Sequence, residues 1–95
     1  MTWVVRPEVA EELAAAGSWY LDISPWLGEA FFAEYEARVQ EHPRSYPVVY
    51  RAKGVRRAVL HRFPYGLFYR LTQDEGVFFA LRHCAQHPPE WQRRS

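Results

Sequence analysis

The spacing of the apolar residues changes near Pro43, and this change restricts the chain to a fold in which helices precede most of the strands. Before that point apolar side chains recur every three or four residues, which is the period of a helix with one buried face. The first stripe is Val9, Leu13, Ala16, Tyr20 and Ile23, and the second is Leu27, Phe31, Tyr35 and Val39. Pro7 and Pro25 suit the first turns of these helices, and the second helix is expected to run to about His42. The short link between them predicts an antiparallel helical hairpin.

Short runs rich in β-forming residues lie on either side of the hairpin. Thr2–Val5 precedes it, and the runs that follow are Val48–Tyr50, Arg57–Phe63, Leu67–Leu71 and Val77–Arg82. Turn residues separate the later runs: Lys53-Gly54, Pro64-Tyr65-Gly66 and Gln73–Gly76. Strands joined by short turns form an antiparallel meander, and the helices need one of its faces as a partner. We therefore predict a single α+β domain over residues 1–95, with an N-terminal strand, a helical hairpin and an antiparallel meander of three to four strands.

The two parts of the chain carry opposite charge. Residues 1–43 hold two cations and eight carboxylates, whereas residues 44–95 hold ten cations and three carboxylates. Eleven of the twelve cations are arginine, whose planar guanidinium binds phosphate or carboxylate groups bidentately. If the acidic helices cover one face of the sheet, the strand arginines are expected on the other face as an anion-binding surface. The alternative is that both halves are solvated and neutralise one another.

The composition excludes several classes of site. Cys84 is the only cysteine, so the chain cannot form an intramolecular disulfide or a site of several thiolates. His83 and His87 lie four residues apart without a neighbouring carboxylate, so no metal site is predicted, and no glycine-rich phosphate loop is present. No apolar run approaches the roughly 20 residues that cross a bilayer, and no secretory signal pattern is visible. These features indicate a cytoplasmic protein without a metal or cofactor.

Three stretches of the sequence resemble one known family. Residues 54–70 resemble the pattern R-R-x-x-L-x-R-F-P-Y-x-I-x-Y-R. A second set resembles the family's helical hairpin and the loop that leaves it, and consists of Trp19-Tyr20, Leu27-Gly28-x-x-Phe31 and Pro43-x-x-Tyr46-Pro47. A third set resembles the family's ending H-x-x-R-x-P-x-x-W, and consists of Ala80–His83, Pro88 and Trp91. The family is the RelE/ParE superfamily of toxins from bacterial type II toxin–antitoxin systems, and the resemblance implies the order β-α-α-β-β-β. One position departs from the pattern, because this chain has Gln86 where the family usually has arginine.

The resemblance implies a toxin that is neutralised by a cognate antitoxin, with which it forms an oligomer, in a plasmid-stabilisation or addiction module. ParE-like members of the superfamily inhibit DNA gyrase, and the F-P-Y-x-x-x-Y stretch at Phe63–Tyr69 favours this subgroup. RelE-like members cleave mRNA on the ribosome, and such a metal-independent endoribonuclease is the second interpretation. The third interpretation is a degenerate, non-toxic protein that only binds the antitoxin, which Gln86 motivates.

Candidate site residues follow from these interpretations. Metal-free RNA cleavage needs cations that stabilise the phosphorane and an acid for the leaving 5′-oxygen, and the candidates are Arg57, Arg62, Arg82 and His83. Residues predicted to contact the target or a nucleic acid are Lys53, Arg56, Tyr65, Arg70 and Trp91, and those predicted to contact the antitoxin are Tyr20, Trp26, Phe32 and Tyr35. The alternative for Arg57 and Arg62 is that they pair only with helix carboxylates. The alternative for Trp26, which also applies to Trp3 and Trp19, is packing in the core or against a helix.

Overall fold

The computed structural model describes residues 2–42, 46, 48–50 and 54–84. Its elements follow in the order β1 (Thr2–Val5), α1 (Pro7–Ile23), α2 (Pro25–Gln40), β2 (Val48–Tyr50), β3 (Val55–Val59), β4 (Tyr65–Leu71) and β5 (Glu75–His83). This order confirms the predicted α+β fold. No helix in the described part of the chain has the length and hydropathy to cross a membrane. Of the predicted site residues, Lys53 and Trp91 lie outside the described residues, and so do Pro43, Pro47, Gln86, His87 and Pro88 from the sequence patterns.

The five strands form one sheet in the order β1-β5-β4-β3-β2. Strands β2 to β5 are an antiparallel meander, as predicted. Strand β1 joins the sheet parallel to β5, with Val5 opposite Phe78, so the complete sheet is mixed. Trp3 lies over Gly76, where a Cβ would come within 2.5 Å of the indole ring. Gly76 therefore lets β1 approach β5, and β5 begins at Glu75, inside the segment that the sequence assigned to a turn.

The two helices pack closely through two glycines. A Cβ on Gly17 would lie 2.0 Å from the ring of Phe32, and a Cβ on Gly28 would lie 2.3 Å from the side chain of Leu21. Each glycine thus lies where a side chain of the facing helix contacts the backbone. The close packing that glycine allows compensates for its low helix propensity. Helix α2 ends at Gln40, two residues before the end that the sequence predicts.

Strand β3 differs from the prediction at both ends. It begins two residues earlier than expected and ends at Val59 rather than at Phe63. The chain then bends, because the carboxylate of Glu34 on α2 accepts hydrogen bonds from the backbone N–H groups of His61 and Arg62 at 2.7 and 3.2 Å. The bend turns Phe63 into the core beneath the hairpin. Arg62 consequently lies on a bend and not on a strand.

Buried apolar side chains lie on both faces of the sheet. The cluster beneath the hairpin consists of Val9, Ala16, Phe31, Tyr35, Ala58, Leu60, Phe63, Leu67, Tyr69, Phe78 and Leu81. A second cluster consists of Val55, Phe68, Phe79 and Ala80, and it lies on the opposite face because side chains alternate along β4. A bulge brings Phe79 and Ala80 to that face together, since Phe68 pairs with Ala80 while Tyr69 pairs with Phe78. The predicted open arginine face is therefore wrong in its centre, which is apolar and buried.

Candidate functional site

A cleft lies between α1 and the adjoining ends of β4 and β5. It has a volume of about 270 Å³ and is lined by Glu12, Ala15, Ala16, Trp19, Tyr65, Leu81 and Arg82, and we name it the α1–β5 cleft. Two predicted site residues, Tyr65 and Arg82, belong to this lining. The floor is apolar, because Ala16 and Leu81 are buried, whereas Trp19 at the rim is 66% exposed. The cleft therefore combines an apolar floor with a charged end.

Glu12 connects α1 to the edge of β5 at that charged end. Its carboxylate accepts a hydrogen bond from the N–H of Leu81 at 2.9 Å and lies 3.0 Å from Nε of Arg82. The edge of β5 has this acceptor because β1 ends at Val5 opposite Phe78, so strand pairing on that side stops before Leu81. The side chains of Glu12 and Arg82 are each only 15% exposed. Partial burial strengthens their attraction relative to that of a fully solvated ion pair.

Tyr65 and His83 are cross-strand partners beside the cleft. Their ring centroids are 5.3 Å apart and their planes are nearly perpendicular, which is the favoured edge-to-face arrangement. The ring of Tyr65 also packs edge-on against Phe31 at 5.2 Å. Burial raises the pKa of the Tyr65 hydroxyl above its ordinary value of 10.0. At neutral pH this group is therefore a hydrogen-bond donor or acceptor and not a general base.

Arg62 and Arg56 hold neighbouring segments of the chain together. Nε of Arg62 lies 3.3 Å from a carboxylate oxygen of Glu34, and the arginine side chain is 60% exposed. This contact matches the alternative expectation for Arg62, namely pairing with a helix carboxylate. Nη1 of Arg56 donates a hydrogen bond to the carbonyl oxygen of Tyr46 at 2.8 Å. Both guanidinium groups thus have structural contacts in addition to any role in target binding.

Arg57 and Arg70 lie on the face of the sheet opposite the hairpin. Arg57 crosses over Gly66, where a Cβ would lie 2.7 Å from the arginine Cδ, so only glycine leaves room for this path. The guanidinium carbon of Arg70 lies 5.9 Å from the centre of the Phe79 ring, within cation–π range. Among the described residues, the Arg57 guanidinium has no ion pair, so the pairing expected as its alternative is absent there.

The four catalytic candidates divide into two groups. Arg82 and His83 are neighbours at the end of β5, and Arg57 reaches over Gly66, which pairs with Arg82 across the strands. Arg62 is separate, because Glu34 holds it on the bend that follows β3. No group of three or more histidine, cysteine or acidic side chains in residues 2–42, 46, 48–50 and 54–84 is placed to hold a metal ion.

Large apolar side chains are exposed where α1 passes into α2. Trp19 and Trp26 are each 66% exposed, and Ile23 is 61% exposed. Of the alternative, packing in the core or against a helix, the core part is therefore wrong for Trp19 and Trp26, and Ile23 does not continue the buried stripe of α1. The exposure of Trp26 is compatible with its predicted contact to an antitoxin.

The other three predicted antitoxin contacts are packed within the chain. Tyr35 is 7% exposed and belongs to the core. Phe32 fills the space over Gly17, and Tyr20 packs edge-on against Phe63 with ring centroids 4.8 Å apart. Burial raises the pKa of both Tyr20 and Tyr35. Tyr20 and Tyr35 thus hold the hairpin on the sheet and Phe32 holds the two helices together, and little of Tyr35 remains accessible to a partner.

Glu12, Ala15 and Trp19 are site residues that the sequence did not single out as such. They follow one another at spacings of three and four residues, so they share one face of α1. This spacing could have indicated a shared face, but the apolar stripe on the buried face of the same helix is longer and more regular and therefore dominates the pattern. The strand edge that they face is distant in the sequence, since Glu12 and Leu81 are 69 residues apart.

The fold matches that of a solved structure. A chain described as "Chromosomal ParDE TA system from P. aeruginosa" aligns with a TM-score of 0.71 over 87% of this chain and 95% of that chain, at 19% sequence identity. No family model matches the sequence, and no curated protein matches it. The likeness shows a ParE/RelE-like fold, and the observed order contains the β-α-α-β-β-β order that the resemblance implied, with one additional strand after the hairpin.

Proposed function

We propose that this chain is the toxin of a bacterial type II toxin–antitoxin module, of the ParE-like kind, and that a cognate antitoxin silences it in the cytoplasm. The observation that carries the proposal is the fold, because the structural neighbour comes from a ParDE toxin–antitoxin system and is matched over 95% of its chain. The exposed Trp19, Ile23 and Trp26 support a protein partner, since such apolar side chains are buried when proteins associate.

The activity that we propose is inhibition of DNA gyrase by binding. RNA cleavage would require cations free to meet a phosphate, whereas Arg62 and Arg82 each contact a helix carboxylate. Inhibition by binding does not require these guanidinium groups to be free. The Phe63–Tyr69 stretch supports the same subgroup.

Ribosome-dependent mRNA cleavage is the second candidate function. It is favoured by the proximity of Tyr65, Arg82 and His83 at the end of β5, with Arg57 reaching over the neighbouring strand. This chemistry would require Arg82 to leave Glu12 and contact the phosphate. A non-toxic protein that only binds the antitoxin is the remaining interpretation.

Induced expression of the chain without its partner separates these functions. The expected result is growth arrest with an SOS response and intact mRNA. Codon-specific mRNA cleavage would instead assign the nuclease function, and Arg82→Ala should then abolish cleavage while the exposed control Arg6→Ala retains it. Normal growth despite full-length, folded protein would leave antitoxin binding as the function and would contradict the toxin proposal.

A further inference from the structure

We propose that the hairpin tip, defined as residues 21–26, is the surface with which this chain contacts its target, a proposal that rests on the gyrase inhibition proposed above. The apolar side chains of the tip enter a recess in a protein surface that carries lysine and arginine. The α1–β5 cleft is not part of this surface. On this proposal Trp26 contacts the target and not, as the sequence predicted, the antitoxin.

The hairpin tip extends beyond the core and has a fixed backbone. The cluster beneath the hairpin and the apolar side chains packed against it include Tyr20 and Leu27 but none of residues 21–26. The N–H of Ser24 donates a hydrogen bond to the carbonyl oxygen of Tyr20 at 3.0 Å. The carbonyl oxygen of Ser24 accepts hydrogen bonds from the N–H groups of Leu27 and Gly28 at 3.0 and 3.1 Å. A surface that is already ordered loses little conformational entropy when it binds.

The apolar side chains of the tip have the exposure of an interface centre. Trp26 is 66% exposed, Ile23 is 61% exposed and Leu21 is 42% exposed. Trp26 alone leaves roughly 100–165 Å² in water, given the 150–250 Å² that an aromatic side chain can bury. With the other two side chains the tip comes close to the roughly 300–600 Å² that is typical of functional apolar patches. Trp26 is the expected anchor, because tryptophan is enriched among the residues that carry most of the binding energy.

Carboxylates border this apolar surface. Residues 7–37 hold seven carboxylates and no lysine or arginine. Asp22 lies within the tip, and Glu29 follows Trp26 by three residues, so it lies on the same side of α2. Both carboxylates are on exposed residues. The hairpin tip therefore combines an apolar centre with a negative rim, and the complementary surface has an apolar centre with a positive rim.

Two arginines from the second half of the chain pair with helix carboxylates at a distance from the tip. Nε of Arg82 lies 3.0 Å from Glu12, which is nine residues, or roughly 14 Å along α1, before the tip begins. Nε of Arg62 lies 3.3 Å from Glu34, which is eight residues, or roughly 12 Å along α2, after the tip ends. Both distances exceed the screening length of about 8 Å at physiological salt. These arginines therefore leave the tip negative.

The charge of the tip selects its occupant. Two copies of the chain that met tip to tip would bring the carboxylates of both copies together, which is unfavourable. A nucleic acid or an anionic membrane is repelled for the same reason. A positively charged protein surface is attracted, and enzymes that hold DNA carry such surfaces because they neutralise its phosphates. Gyrase, the target proposed above, is an enzyme of this kind.

Inhibition of supercoiling by the purified chain tests the apolar part of the tip. Trp26→Gln should raise the concentration for half-inhibition of gyrase at least about tenfold, and Ile23→Thr at least about threefold. Val5→Thr is the matched control for Ile23→Thr, because Val5 is 40% exposed on β1, and it should change this concentration less than about twofold. Circular dichroism should show all three variants folded, since the replaced side chains are exposed.

Neutralising the rim tests the charge of the partner. Asp22→Asn combined with Glu29→Gln should weaken binding to immobilised gyrase roughly fivefold, and the difference should shrink as salt is added. Glu36→Gln is the matched control, because Glu36 is exposed on α2 two helical turns after Glu29, and it should change binding less than about twofold. The proposal is overturned if Trp26→Gln inhibits gyrase like the wild type, or if the neutralised rim strengthens binding.

Other occupants of the tip give different results. If Trp26→Gln inhibits gyrase like the wild type but a co-expressed antitoxin no longer rescues cells from it, the tip belongs to the antitoxin. If sedimentation shows self-association that Trp26→Gln abolishes while inhibition is unchanged, the tip belongs to a second copy. Either result refutes the target surface and leaves the toxin assignment in place. A folded wild-type chain that does not inhibit gyrase at all refutes the proposed function, and the target surface with it.

Discussion

Replacing Gly17 by alanine tests whether the two helices approach each other as closely as described. A Cβ at this position would lie 2.0 Å from Cζ and 2.5 Å from Cε1 of Phe32, whereas ordinary van der Waals contacts begin near 3.4 Å. The aromatic ring or the whole of α2 must therefore move by roughly 1.4 Å. Phe32 is half-buried between the helices, so its ring has little free space to move into.

The expected cost combines two opposing effects. Forcing an extra methyl group into a packed contact costs about 1–3 kcal/mol, whereas alanine gains about 1 kcal/mol over glycine in helix propensity. We expect a net loss of about 1–2 kcal/mol from the free energy of unfolding, since a displacement of this size is toward the upper end of the first range. For a domain of this length the melting temperature should fall by roughly 4–15 °C.

Urea and thermal unfolding followed by circular dichroism measure this loss. Ser18→Ala is the matched control, because Ser18 is the exposed next residue of the same helix, and its replacement should stabilise the chain by up to about 0.5 kcal/mol. Phe32→Leu combined with Gly17→Ala should be less harmful than the two single changes predict, by at least about 0.5 kcal/mol. A Gly17→Ala chain as stable as the wild type would refute the described helix contact.

Two further predictions concern the cleft and the core. Glu12→Ala should lower the free energy of unfolding by about 2–4 kcal/mol in urea titrations, because it removes the acceptor of the Leu81 N–H and the carboxylate beside the mostly buried Arg82. Glu11→Ala is the control on the exposed face and should change this free energy by less than about 0.5 kcal/mol. Equal effects of the two substitutions would contradict the Glu12 contacts. Burial raises the pKa of the Tyr69 hydroxyl above its ordinary value of 10.0. The neutral phenol therefore stabilises the fold fully below pH 10.0, and this stabilisation is lost as the pH rises through the pKa of the folded state. The free energy of unfolding, measured at increasing pH, should decline from about pH 10, and the decline should be shallower in Tyr69→Phe. A constant free energy of unfolding above that pH would contradict the burial of the phenol.

Local periodicity was sufficient to predict the helices and most of their buried faces, with Ile23 as the exception. Val9, Ala16 and Phe31 lie on the predicted stripes and are buried. The strand Thr2–Val5 was also predicted from its composition, but its parallel pairing with β5 joins segments more than 70 residues apart. Such a pairing depends on how the whole chain closes, which no short window of sequence contains.

The parts of the site that could not be predicted depend on contacts between distant segments. Arg62 was expected on a strand, but the carboxylate of Glu34 binds its backbone and turns the chain away. The sheet face opposite the hairpin has an apolar centre because of the bulge at Phe79. The bulge interrupts the alternation of side chains between the two faces that the sequence of β5 suggests. The catalytic role predicted for Arg82 stays a prediction; the residue lines the α1–β5 cleft, and its partner Glu12 comes from the first helix.

A supercoiling assay with the purified chain and purified gyrase tests the proposal that this chain is a ParE-like toxin that inhibits gyrase. We expect supercoiling to decrease with increasing chain concentration while cleaved DNA accumulates, and we expect the antitoxin to reverse both effects. The same preparation should leave mRNA intact in a translating extract. Full gyrase activity at a saturating concentration of the chain, together with mRNA cut on the ribosome, would refute gyrase inhibition and assign the nuclease function.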